Sequence, residues 1–97
     1  MDEMTYLTIL FDYYGDLFSD KQKSYFIDYY FNNLSLSEIS ENLNISRNAI
    51  HKQLKMMEKK LYEYEKVLGL YQKSQKLQTI IDKIKDNELK QQLLDLL

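Results

Sequence analysis

Arg47, Asn48, His51, Lys52 and Lys55 follow one another at steps of one and three residues. On a helix such spacing gathers side chains on one side. Four of the five can be cationic. Arg and Asn can make paired hydrogen bonds to guanine and adenine edges, while lysines neutralise phosphates, which is the chemistry a major-groove reader needs. The charge is local: residues 46–60 hold five bases against one acid, in a chain whose formal net charge is −2. Residues 1–19 hold four acids and no base, and residues 20–45 two bases against four acids. Distribution rather than total charge decides whether a surface attracts a polyanion. The same residues also fit the solvated side of a long helix, or a helix-turn-helix that docks on protein.

Other chemistries find little footing. His51 is the only histidine, and the positions one turn away are Arg47 and Lys55, so it lacks the neighbouring His, Asp or Glu of a metal site. Neither a nucleophile nor an orienting carboxylate accompanies it for general-base work. Glu63 and Glu65 stand two apart and point to different sides of a helix, where they cannot share a proton or a metal. There is no cysteine, hence no disulfide framework and no thiolate site. The expectation is a non-enzyme with no cofactor and no metal.

The basic face must be held by a scaffold, and the flanking sequence supplies one. Ser35 and Glu38 have capping-box spacing ahead of a short helix, Leu36 to Leu43. Asn44 stands where a left-handed residue must end that helix. Ser46 caps the next helix, which begins at Arg47 and meets no stop signal before Gly69. An eight-residue helix, a three-residue turn and a second capped helix are helix-turn-helix grammar. Leu36, Ile39, Leu43 and Ile45, with Ala49, Ile50 and Leu54, should form its small core, and a close helix crossing would require a small residue at Ala49.

Around this unit the periodicity predicts further helices: Met4 to Phe18, a second from a cap at Ser19 or Asp20 to Phe31, a fifth from Leu70 to Lys85, and a terminal helix restarting at Asp86-Asn87-Glu88. Leu7, Leu10, Phe11, Tyr14 and Phe18 share a face. Ile9, Tyr13 and Leu17 lie off it, predicting a first helix buried on more than one side. The fold class is therefore all-α, five to six helices, with a long recognition helix extended into a C-terminal helical segment. Residues 1–97 read as a single domain, with the helix-turn-helix at 35–60 and the extension at 61–97.

Ile50, Leu54, Met57, Leu61, Tyr64, Leu68 and Tyr71 alternate at steps of four and three, a heptad seam. Intramolecular packing and self-association both explain it. A first helix this apolar and a seam this long exceed what 97 residues easily cover, which predicts a homodimer. The nine tyrosines sit at helical spacings that suit packing better than base stacking. An acidic Met1-Asp2-Glu3 opening and the want of an apolar run of about 18 residues predict no signal peptide, no membrane insertion and a cytoplasmic protein.

The order of residues resembles the YlxM family of small bacterial helix-turn-helix proteins over nearly the whole chain. The resemblance is carried by LFDYYG at Leu10–Gly15, the Ser-Asp-Lys-Gln element at Ser19–Gln22, SLSEIS at Ser35–Ser40, the ISR turn at Ile45–Arg47 and LYEYE at Leu61–Glu65. The helix-turn-helix is similar to that of region four of bacterial sigma factors. Genes of that family stand typically beside those of the signal recognition particle GTPase and its receptor. Membership thus implies a DNA-binding regulator connected with that pathway, or an accessory factor docking on the particle's GTPase or RNA. From Ile50 to Met56 the chain departs from the family pattern, so the resemblance carries over no base preference.

Overall fold

The computed structural model describes all residues, Met1–Leu97, and the chain is helical from end to end: α1 (Glu3–Tyr14), α2 (Asp20–Phe26), α3 (Leu36–Leu43), α4 (Arg47–Leu68), α5 (Leu70–Ile81) and α6 (Asn87–Leu94), without strands. Caps predicted from sequence are formed. Ser19 with Gln22 and Ser35 with Glu38 make reciprocal capping boxes, and Ser46 Oγ accepts from the Ala49 amide at 3.1 Å. These satisfy amides that a helix start leaves without partners.

Helices α1, α2 and α5 depart from their expected extents. The first begins at Glu3 behind an Asp2 cap and ends at Tyr14, and Gly15–Leu17 tighten into a 3₁₀ turn. Gly15 fits a close space there: a Cβ would stand 3.2 Å from the Phe11 ring, which would have to shift by a few tenths of an ångström. In the second, regular α structure stops at Phe26 and Ile27–Phe31 widen into a π turn, closed by the Asn32 amide on the Ile27 carbonyl at 2.9 Å. Phe26 is stacked between Phe11 and Tyr30, at 4.3 Å from each ring centroid. The wider turn carries Tyr30 alongside Phe26 and lets its hydroxyl reach Glu58 on α4 at 2.6 Å.

The core joins α1, α2, α3 and the first four turns of α4, through Leu7, Leu10, Tyr14, Phe26, Ile39, Ile50, Leu54, Met57 and Leu61. Four seam residues, Ile50, Leu54, Met57 and Leu61, are thus consumed inside one chain. The expectation of a first helix buried on several sides is corrected. Ile9 is half-buried, but Tyr13 and Leu17 are exposed, because α4 and Phe26 cover the core side while Tyr71 of α5, packed against Tyr6 and Tyr13, leaves the rest open. Past Leu61 the core thins. Leu68 is exposed, α5 ends at Ile81 rather than Lys85, and no residue of α6 is buried. The radius of gyration is 17.0 Å, against about 13 Å for a compact domain of this length.

Candidate nucleic-acid interface

The site begins with a turn. Asn44 closes α3 in the left-handed region, φ 54° and ψ 45°, which redirects the chain within three residues so that Ser46 can cap α4. The Ser40 hydroxyl donates to the Ile45 carbonyl and ties the turn to α3. Ile39, Ile50 and Leu54 pack the two helices together, with Leu36 and Ile45 half-buried against them. Two expected members of this small core lie outside it: Ala49 is exposed and Leu43 reaches the surface. The helices meet through Ile50 instead, so no close crossing constrains position 49.

Fixed in this way, the first turns of α4 present Arg47, Asn48, His51, Lys52 and Lys55 to solvent, all exposed. Asn48, His51, Lys52 and Lys55 form one stripe, separated by roughly 100° per residue from the buried Ile50 and Leu54. Arg47 stands at its edge, where Nη1 donates to Ser37 Oγ on α3 at 3.1 Å. Lys55 is paired on its other flank, with Nζ 3.3 Å from Glu58 Oε1. Glu58 is the one acid of residues 46–60 and also accepts from Tyr30, so its charge is drawn toward the protein. An exposed ion pair of this kind contributes little and leaves the lysine available to a phosphate.

Two residues not singled out in the sequence belong to the same surface. Lys59, four after Lys55 and exposed, continues the stripe, and the i, i+4 rule would have found it. Ser37 could not have been found, since its contact with Arg47 depends on how α3 and α4 cross.

At the far end of α4, Gly69 adopts φ 61° and turns the chain into α5. Glu65 accepts from the amides of Tyr71 at 3.0 Å and Gln72 at 3.1 Å, doing for α5 what the serines do for α2 to α4. Tyr14 Oη accepts from the Leu70 amide at 3.0 Å and donates to Glu65 at 2.6 Å. Burial, and then the hydrogen bond to Glu65, push the Tyr14 phenol up to about 12. Tyr30, against Glu58, is raised for the same reasons. No helix is long and apolar enough to cross a membrane.

The family described as "Putative helix-turn-helix protein, YlxM / p13 like" matches residues 1–96. A UPF0122 protein of Malacoplasma penetrans is 43% identical over 93 residues, which cover 96% of this chain and 87% of the relative. One of Caldanaerobacter subterraneus subsp. tengcongensis is 46% identical over 85 residues, covering 88% and 73%. A third, of Bacillus cereus strain AH187, is 41% identical over 85 residues, covering 88% and 77%. With its capped α3, left-handed Asn44 and capped α4, the chain is a member of the UPF0122 family of helix-turn-helix proteins.

Proposed function

We propose that the chain binds duplex DNA, with α4 as the recognition helix, and acts as a regulatory protein. Asn48 and His51 face the base edges, and Arg47, Lys52, Lys55 and Lys59 the phosphates on either side. The observation that carries this reading is the single exposed stripe Asn48, His51, Lys52, Lys55 and Lys59 on the first turns of a capped α4. A major groove about 12 Å wide admits a helix presented in this manner. The action is one of binding rather than catalysis, which the helix-turn-helix family supports, and it belongs in the cytoplasm, where DNA is. Residues 1–97 work as one domain, in which 35–60 contact DNA and 61–97 extend the scaffold.

Selection from randomised duplexes tests base reading. Asn48→Ala should change the preferred sequence at one base pair, at a cost of about 1–3 kcal/mol there. An unchanged preference would remove Asn48 from the base-reading face.

A second reading connects the chain with the signal recognition particle, supported by the gene neighbourhood of the family it resembles. Here the basic face docks on the particle's GTPase or RNA. The two readings separate by ligand shape, because the A-form major groove is too narrow for a helix and RNA is read at loops, backbone and 2′-hydroxyls. Binding to the particle RNA that exceeds binding to every duplex and ignores Asn48→Ala would favour the second.

A further inference from the structure

The chain leaves more surface uncovered than a compact monomer of this size should. The chain exposes 7015 Å², whereas a compact monomer of 11.8 kDa exposes about 5,900 Å². The excess, about 1,100 Å², resembles the share that one partner contributes to a stable interface, about 800 Å². The molecule is drawn out to 54 Å in one direction against 25 and 24 Å in the others.

The uncovered surface has a pattern. On α5, Tyr71, Ser74, Gln78 and Ile81 face inward, with Tyr71 against Tyr6 and Tyr13 of α1. About a quarter turn away lies a second stripe, Leu70, Leu77 and Ile80, at heptad spacings of seven and three. All three are exposed, at 41%, 49% and 59%. Val67, at the end of α4, and Leu89, on α6, are exposed as well, at 81% and 45%. Scattered apolar residues on a surface are ordinary, but three aligned on one face of an extended arm point to a contact.

We infer that this stripe on α5, continued onto α6, is a self-association face, and that its occupant is the same stripe of a second copy. Charge favours a copy of itself. Residues 70–81 carry two lysines and no acid, while residues 82–97 carry four acids and three lysines. Antiparallel arms related by a two-fold axis would set the cationic half of each against the acidic half of the other. A two-fold interface is self-complementary in this sense, each contact occurring twice. The midpoint of the arm, between Lys83 and Ile84, then lies nearest the axis. The resulting pair carries two α4 faces, and a palindromic site follows if these bind DNA. That consequence rests on the DNA reading; the association does not.

The test needs no DNA. Light scattering of the full chain at micromolar concentration should give twice the 11.8 kDa chain mass. Leu77→Lys and Ile80→Lys should each weaken association at least tenfold while leaving helical circular dichroism unchanged. Since the chain contains no cysteine, a reporter can be placed cleanly: Lys83→Cys, exposed near the axis, should form a disulfide-linked dimer on mild oxidation, whereas Met56→Cys, exposed on α4, should not. A single-chain mass at all concentrations up to about 100 µM would overturn the inference. So would a dimer that survives both lysine variants, or one that cross-links through Met56→Cys and not through Lys83→Cys.

Discussion

Tyr14 and Glu65, 51 positions apart, share a hydrogen bond of 2.6 Å that fixes the bend between α4 and α5 to the end of α1. The phenol is both donor and acceptor, giving its proton to Glu65 and receiving the Leu70 amide. Glu65 in turn holds the Tyr71 and Gln72 amides. One buried hydroxyl therefore completes a helix cap in which the carboxylate comes from the preceding helix.

Removing that hydroxyl, Tyr14→Phe, should cost about 1–3 kcal/mol in urea unfolding, the range for a buried partner left unsatisfied. The variant should also respond differently to alkali. The folded phenol titrates at about 12, above the ordinary value of 10.0, so its contribution is complete below pH 10 and disappears as pH rises toward 12. The stability difference between wild type and Tyr14→Phe should shrink across that interval. Tyr30 follows the same direction in both proteins and cancels in the difference. A gap constant to pH 12 would contradict the role given to the phenol.

Features set by neighbours in sequence were legible beforehand. Ser35 with Glu38, Asn44, Ser46 and Gly69 announce caps and stops through local chemistry, and each acts as its type predicts. Features that depend on what packs where were not. Ala49 has the size for a crossing point but stands at the surface, because Ile50 rather than Ala49 points at α3. The widened turn at Ile27–Phe31 answers to Phe11 and Glu58, both remote in sequence. The heptad seam read equally as core or interface, and it divides: Ile50 to Leu61 are core, while Leu68 is exposed. At the basic face, helical spacing was enough to group Arg47, Asn48, His51, Lys52 and Lys55, but the Ser37 and Glu58 partners required the fold.

Asn44→Gly should be neutral or slightly stabilising, because glycine adopts φ 54° without a Cβ penalty. Asn44→Ala should cost about 1 kcal/mol and Asn44→Val more, since a left-handed backbone opposes a side chain, and a branched one most. Thermal unfolding of the three variants orders them. Alanine equal to glycine would show that the turn tolerates another conformation.

Gly69→Ala separates space from conformation. A Cβ there would meet only the Glu65 carbonyl, at an ordinary 3.9 Å, while φ remains 61°. The expected cost is therefore the backbone term alone, about 1 kcal/mol. A loss of several kcal/mol would mean that the bend tolerates no adjustment, and no loss that α4 and α5 can join as one straight helix.

The proposed binding of duplex DNA by α4 is measured most directly by its salt dependence. Arg47, Lys52, Lys55 and Lys59 would make about four phosphate contacts per chain, hence a slope near −3.6 in log K against log salt and about a hundredfold loss between roughly 50 and 200 mM. Replacing Arg47, Lys52 and Lys55 by Ala should reduce the slope by about three and abolish measurable binding at the higher salt. Fluorescence anisotropy with a labelled duplex, wild type beside the triple variant, reads both quantities. A steep wild-type slope that flattens in the variant is the predicted result; equal slopes, or no binding of duplex DNA by the wild type at the lower salt, would contradict it.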